Sequence, residues 1–194
     1  MSHTSRPRAV LDADIIYSRV LHDLVGRAAL RLRLLDLFWS EELLAEARAS
    51  LEQKKLPPPE APRRWVDYLP QNFPNGRIHI GGSPVVPDLA SLSTDPADAD
   101  VCTLAIAANA DYLFTHDRGY LRDGLARYNV HVIAPDEFLA PAFITDPQGM
   151  LAVIELQAAS WAGGRPIKDL LDALERAGAP MLAGKARASM TLDA

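Results

Sequence analysis

The stretch Arg-Ala-Val-Leu-Asp at residues 8–12 decides the fold that this sequence predicts. It is a short apolar run that ends in an acid, which is typical of a buried strand. The segments 111–115 and 130–133 have a similar character, and helical patterns separate the strand candidates. Short strands that alternate with helices predict an α/β fold, in which helices flank a mainly parallel sheet as a three-layer α/β/α arrangement.

The helices of this prediction follow from apolar spacing and from their start signals. Residues 15–37 repeat apolar side chains at intervals of three and four, which predicts a helix interrupted near Gly26. Ser40 is expected to cap a second helix, because the acids that follow it suit the positive end of the helix dipole. A third helix is predicted at 97–109, and residues 77–80 are interpreted as a weak short strand.

The last quarter of the chain shows helical patterns only. Beyond residue 141 the spacing predicts three helices, at about 147–160, 166–177 and 179–190. The change of pattern predicts two parts: an α/β domain at residues 1–142 and a small helical extension at residues 143–194.

Composition and charge exclude several classes of protein. The chain has 194 residues, enough for one α/β domain with a modest appendage. Its single cysteine, Cys102, excludes an intramolecular disulfide framework and a thiolate zinc cluster, and we expect this residue to lie in the core. No apolar run reaches the roughly 20 residues of a membrane span, so a cytoplasmic protein without a membrane partner is expected. The net charge of −5 argues against an overall basic surface for nucleic acid.

The chemical signal lies in where the aspartates fall. Asp12 ends the first strand, Asp117 follows the strand at 111–115, and Asp98 begins the helix before that strand. The carboxyl ends of parallel strands meet at one edge of a sheet, so we expect Asp12 and Asp117 to converge if their strands are neighbours. Taken alone, Asp98 fits a helix-start acid and Asp117 a turn residue equally well.

Carboxylates that converge without a cation repel one another. A divalent metal relieves this repulsion, and a site made only of oxygen ligands favours a hard ion such as Mg²⁺ or Mn²⁺. Such ions activate water and stabilise phosphate charge, so the residues alone indicate an acid-lined metal site suited to phosphoryl chemistry.

Four segments of the chain resemble, in order, the motifs of the PIN-domain family. The matching segments are residues 10–18, 40–48, 98–113 and 115–117. The metal-site acids that these motifs contribute are, in the same order, Asp12, Glu46, Asp98 and Asp117. Each motif alone is weak, but four of them in order on the expected elements are fairly specific.

The resemblance implies an activity, a cofactor and partners. It implies a Mg²⁺- or Mn²⁺-dependent endoribonuclease that hydrolyses RNA, most often found in this family as the VapC toxin of a bacterial toxin–antitoxin pair. A small antitoxin protein and a second copy of the chain in a homodimer are the expected protein partners. The rival interpretation is a non-catalytic PIN module that binds RNA or protein as a scaffold, and a third is a nuclease acting on DNA.

The chain departs from the family pattern in three places. Asp14 stands where many members have asparagine, which adds a negative charge beside Asp12. Asp100 competes with Asp98 for the third metal-site role; the two lie about 200° apart around a helix, so only one of them faces the metal. Asp98 is favoured by its distance to Asp111. The helical tail is longer than in minimal toxins and resembles that of a VapC-like subgroup.

Five further side chains are candidates to support the acids: Asp14, Ser18, Asp100, Thr115 and His116. Hydroxyls beside metal-site carboxylates orient them or their bound water. The alternative for the two hydroxyl residues is the capping of backbone groups at element ends. The alternative for His116 is an exposed turn histidine, which we favour.

Overall fold

A four-stranded parallel sheet forms the core of the fold in the computed structural model, which describes residues 5–53, 66–81, 88–161 and 166–192. The strands, in the order in which they lie side by side, are β2 (Asp36–Phe38), β1 (Arg8–Leu11), β3 (Tyr112–Phe114) and β4 (His131–Ile133). Val10 of β1 is paired with Phe38 of β2 and with Leu113 of β3. The sheet confirms the predicted α/β class and the parallel arrangement of its strands.

The position of β1 explains its composition. Ala9 and Val10 are fully buried, because this inner strand has neighbours on both sides and is covered on both faces. The backbone N–H of Asp12 still donates to the carbonyl oxygen of Phe114 at 3.0 Å, so the ladder between β1 and β3 continues to the point where the acid begins. The carboxyl ends of β1 and β3 therefore lie side by side.

The helices account for most of the remaining described residues. They are α1 (Ala13–Tyr17), α2 (Arg19–Leu32), α3 (Glu41–Gln53), α4 (Tyr68–Asn72), α5 (Ala99–Ala107), α6 (Arg122–Ala126), α7 (Pro135–Thr145), α8 (Pro147–Ser160), α9 (Ile167–Arg176) and α10 (Pro180–Leu192). The Ser40 hydroxyl accepts a hydrogen bond from the backbone N–H of Leu43 at 3.2 Å, which confirms the predicted cap. No helix among the described residues is both long and apolar enough to cross a membrane.

Two local predictions were wrong. The predicted helix at 15–37 is interrupted at Ser18 and not at Gly26, which is buried inside α2. The helix also ends earlier, where Arg33 adopts the left-handed conformation with φ of 55°. Residues 77–80 do not form a strand; Arg77 makes only an isolated parallel bridge with Trp39. Glycine is tolerated at position 26 because the residue is buried within the helix, where packing outweighs its low helix propensity.

Contacts divide the chain into two compact units. The α/β unit comprises the residues up to Tyr17 together with Leu35–Ile133, and the helical unit comprises Ser18–Leu34 together with the residues from Ala134 on. Within the helical unit, α2 packs against α8. The prediction of a nuclease domain at residues 1–142 and a helical extension at residues 143–194 stays a prediction.

Candidate functional site

Asp12 begins the candidate site at the carboxyl end of β1. Its side chain is only 7% exposed. One carboxylate oxygen accepts from the backbone N–H of Ala13 at 2.6 Å, and the other accepts from the Thr115 hydroxyl at 2.8 Å. The strand places the carboxyl at the sheet edge, and these two donors, one from each of two adjacent strand ends, hold its orientation.

The environment of Asp12 disfavours its negative charge. Burial is the main cause, and the charge of Asp14 adds to it, so that the pKa of Asp12 rises to about 6. The hydrogen bonds from Thr115 and Ala13 act in the opposite direction but do not outweigh burial. A buried carboxyl with a raised pKa at a sheet edge is a common feature of functional sites.

Thr115 connects the first and fourth predicted acids. Its hydroxyl donates to Asp12 and accepts from the backbone N–H of Asp117 at 2.9 Å. One oxygen of Asp117 in turn accepts from the backbone N–H of Gly119 at 2.7 Å, while the residue remains exposed to solvent. The turn after β3 thus carries Asp117 on a short hydrogen-bonded path from Asp12.

Asp98 lies at the end of a short 3₁₀-helix, Pro96–Asp98, immediately before α5. The Ser93 hydroxyl donates a short hydrogen bond to its carboxylate. Partial burial raises the pKa of Asp98, and the charges of Asp117 and Asp95 raise it further. The third predicted acid is therefore electrostatically coupled to the fourth.

Glu46 lies on α3 and faces the same group of charges although solvent reaches it. Partial burial raises the pKa of Glu46, followed by the charges of Asp98, Asp100 and Asp95. Tyr17 on α1 links this helix to the first strand end: burial raises the pKa of Tyr17, and the charges of Glu46 and Asp12 contribute. The structure thus places Glu46 within the electrostatic reach of Asp98, the third predicted acid.

Asp14 and His116 form a second contact between the ends of β1 and β3. One oxygen of Asp14 accepts from the backbone N–H of His116 at 2.9 Å and lies 3.4 Å from its ring Nδ1. The other oxygen of Asp14 is buried and has no hydrogen-bond partner among the described residues. Burial is the main cause of the raised pKa of Asp14. This unsatisfied acceptor is available to a bound donor or cation.

The remaining supporting candidates are less involved. Asp100 is exposed in the first turn of α5, and its charge acts on Glu46. Ser18 lies in the helical unit before α2, where its carbonyl oxygen accepts from the backbone N–H of His22 at 2.8 Å. Cys102 is fully buried, which confirms its predicted place in the core. Burial and the charges of Asp98 and Asp12 raise the pKa of its thiol to about 12.

Two residues near the acids were not predicted, Ser93 and Tyr120. Ser93 contacts Asp98, and Tyr120 is 5% exposed with its hydroxyl close to both Asp12 and Asp98. Burial, followed by the charges of Asp12 and Asp98, raises the pKa of Tyr120, so its hydroxyl keeps its proton. A hydroxyl residue three positions after Asp117 was visible in the sequence, but its direction was not.

The donor chemistry of this group fits a hard divalent cation. None of the ion pairs found among the described residues involves the four acids. Gly119 leaves space between two of them, since a Cβ there would lie 3.3 Å from an oxygen of Asp117 and 3.7 Å from an oxygen of Asp98. Within the described ranges, however, no three His, Cys, Asp or Glu side chains are arranged to hold a metal as they stand. Metal binding therefore requires side-chain rotation toward a common centre.

Comparisons with protein-family models, with curated proteins and with solved structures find no match to this chain.

Proposed function

We propose that this chain is a Mg²⁺- or Mn²⁺-dependent endoribonuclease with a three-layer, PIN-like α/β/α fold. One observation carries the proposal. The four acids are linked through neighbouring charges: the charge of Asp117 raises the pKa of Asp98, the charge of Asp98 raises that of Glu46, and the buried Tyr120 lies close to both Asp12 and Asp98. The energy of holding these carboxylates together is recovered when a cation binds.

Among the four acids, Asp12 is the one that is buried and oriented by two hydrogen bonds. The hydroxyl of Thr115 and the N–H of Ala13 hold its carboxylate at the sheet edge. Thr115 also accepts from the N–H of Asp117, so one hydroxyl contacts both the carboxylate of Asp12 and the backbone of Asp117. In the proposed enzyme these contacts orient Asp12 and Asp117 as ligands, which a metal site requires of the groups around it.

Glu46 and Asp98 complete the proposed ligand set from the helical side of the site. They act on each other electrostatically and lie on different elements, α3 and the turn before α5. A divalent cation bound by these acids supplies an activated water and compensates the charge of the phosphodiester. The chain's own contribution is the placement of the four carboxylates and the supply of hydroxyl donors around them.

The biological setting is proposed on the resemblance of the four motifs. The chain acts as a VapC-like toxin of the cytoplasm, with a small antitoxin protein as partner and a homodimer as its assembly. RNA is held by the bound metal ions and by basic side chains of the turn that follows β3. Arg118 is exposed on this turn, directly after Asp117.

The test of the proposed function compares Asp12→Asn with Asp123→Asn. Asp123 is an exposed acid in the first turn of α6 and serves as the matched control. Mn²⁺ binding is measured by titration calorimetry, and cleavage is measured on single-stranded RNA and on DNA of the same sequence. We expect Asp12→Asn to abolish measurable Mn²⁺ binding and to lower RNA cleavage at least about 100-fold, because metal assistance contributes several kcal/mol to such reactions.

Three outcomes of this test would count against the proposal. Cleavage that persists in EDTA or in Asp12→Asn excludes the metal mechanism. Mn²⁺ binding without cleavage of either nucleic acid favours the scaffold interpretation. Cleavage confined to DNA replaces the ribonuclease by a deoxyribonuclease.

A further inference from the structure

A short antiparallel bridge lies beside the acids, between residues 92–94 and 119–121. Ser93 pairs with Tyr120 at its centre. The N–H of Thr94 donates to the carbonyl oxygen of Gly119 at 3.0 Å. The N–H of Leu121 donates to the carbonyl oxygen of Leu92 at 2.7 Å. Two backbone hydrogen bonds therefore fix the position of both central residues.

The bridge depends on a close approach at its far end. A Cβ at Gly124 would lie 1.7 Å from the carbonyl oxygen of Ser91, a distance that no side chain allows. Glycine at this position lets the start of α6 contact the backbone that leads into Ser93. Such close packing indicates that the bridge has a defined geometry and is not an incidental contact.

Both central residues direct a hydroxyl at the acids. Ser93 donates to the carboxylate of Asp98, and its oxygen accepts from the N–H of Asp95 at 3.0 Å. The Tyr120 side chain is almost completely buried, and its hydroxyl is close enough to Asp12 and Asp98 to favour the ionised form of each. However, the Tyr120 hydroxyl forms no hydrogen bond of regular geometry with any of the described residues.

We propose that Ser93 and Tyr120 are positioning residues that set the placement of Asp98 relative to Asp12 for a divalent cation. This inference rests on the proposed function, and it adds two residues that the acid motifs do not contain. Ser93 holds Asp98 from one side. Tyr120 contributes a buried hydroxyl in reach of both carboxylates, and it would donate to them when a cation is bound.

The arrangement has a physical rationale. Two carboxylates without a cation repel each other and turn apart unless donors hold them. Groups around a metal site that orient its ligands typically change metal affinity or activity by about 10- to 100-fold when they are removed. A buried hydroxyl without a regular partner lowers stability, so its presence is better explained by a role toward a bound group than by folding.

The test uses variants that remove one hydroxyl each. They are Tyr120→Phe and Ser93→Ala, with Tyr128→Phe as the control, since Tyr128 lies in the same unit after α6 and makes no contact with the acids among the described hydrogen bonds. We expect Tyr120→Phe to weaken Mn²⁺ binding by about 10-fold in titration calorimetry, and Ser93→Ala to have a similar effect. Turnover at limiting Mn²⁺ falls in parallel, while KM for RNA stays within twofold of the wild type.

Thermal unfolding of the metal-free chain separates positioning from a merely structural role. Because the Tyr120 hydroxyl has no regular partner, Tyr120→Phe is expected to unfold at the same or a higher temperature than the wild type. Weaker Mn²⁺ binding in a variant that is no less stable supports the inference. A lower unfolding temperature with unchanged Mn²⁺ binding overturns it.

The inference and the proposed function fail in different ways. If Asp12→Asn abolishes Mn²⁺ binding while Tyr120→Phe and Ser93→Ala bind as tightly as the wild type, the positioning role is excluded and the metal site stands. If Asp12→Asn binds Mn²⁺ as tightly as the wild type, the metal site is excluded, and the positioning role with it.

Discussion

Two buried aspartates, Asp12 in the α/β unit and Asp136 in the helical unit, have different surroundings. Asp136 is 3% exposed and Asp12 is 7% exposed, so both pay for the loss of water around a carboxylate. Asp136 accepts from the backbone N–H groups of Met181 and Leu182, at 2.8 and 2.9 Å. These are among the N–H groups at the start of α10 that have no partner within the helix.

The two carboxyls differ in how well their surroundings accommodate a negative charge. Each oxygen of Asp136 receives one N–H at a helix start, where the dipole also favours a negative charge. Asp12 also accepts two hydrogen bonds, but it lies beside Asp14, and burial raises its pKa to about 6. Two carboxyls that are buried to a similar extent thus differ in the groups that surround them: helix-start N–H groups at Asp136, and a neighbouring carboxylate at Asp12.

The largest effect on stability is expected for Asp136→Ala. This variant leaves two N–H groups at the start of α10 without their acceptor and should lower the free energy of unfolding by about 3 kcal/mol. Asp146→Ala, which removes the exposed local cap of α8, is the control and should cost about 1 kcal/mol. Urea unfolding followed by circular dichroism measures both. Equal losses in the two variants would show that burial adds nothing to the cap.

Asp12→Asn is expected to change stability in the opposite direction. A carboxyl whose pKa rises on folding, here from 3.8 to about 6, binds its proton more tightly in the folded chain. Stability is then greatest below about pH 4, falls between about pH 4 and 6, and stays reduced at neutral pH. The neutral variant should gain about 2 kcal/mol at pH 7 in EDTA.

The pH dependence supplies the control for this prediction. At about pH 4 the wild-type carboxyl is protonated in the folded chain, so the advantage of Asp12→Asn should shrink toward zero. Urea unfolding at several pH values in EDTA measures the difference. A gain that is constant from pH 4 to 7 would mean that the variant acts through packing and not through charge.

The smallest effect is expected for Asp14→Asn. The amide oxygen can still accept from the N–H of His116, while the charge that raises the pKa of Asp12 is removed. The gain in stability at pH 7 should be under about 1 kcal/mol, because Asp14 is partly exposed and its charge is screened by solvent. Carboxyl NMR titration should show the pKa of Asp12 below the wild-type value. An unchanged value would assign the raised pKa to burial alone.

Elements with strong local signals were predicted well. The bounds of α8 agree with the prediction, because Asp146 and Pro147 mark its start and an apolar pattern follows. The predicted interruption at Gly26 was wrong, because glycine lowers helix propensity but is tolerated where the helix is buried and packed. The sequence predicted that Asp12 and Asp117 converge only if their strands are neighbours. The structure shows that β1 and β3 are neighbours.

Other features had no local signal. Glu46 is one of several acids on α3, and only the resemblance to a family motif distinguished it. The start of α10 has alanine and proline where a capping side chain is usual, and its cap comes from Asp136, 45 residues earlier. The Ser93–Tyr120 bridge consists of a single residue from each side, too short for any periodic pattern.

The sequence by itself determined the buried strand at residues 8–12, the alternation of strands and helices, and the acids at the strand ends. These follow from apolar periodicity and start signals, which act between residues close together in the chain. Only the tertiary structure decided that Asp12 has a raised pKa, that Asp136 caps a distant helix, and that Ser93 and Tyr120 direct hydroxyls at the acids. These depend on burial and on the charges that surround a group, which arise when distant segments meet.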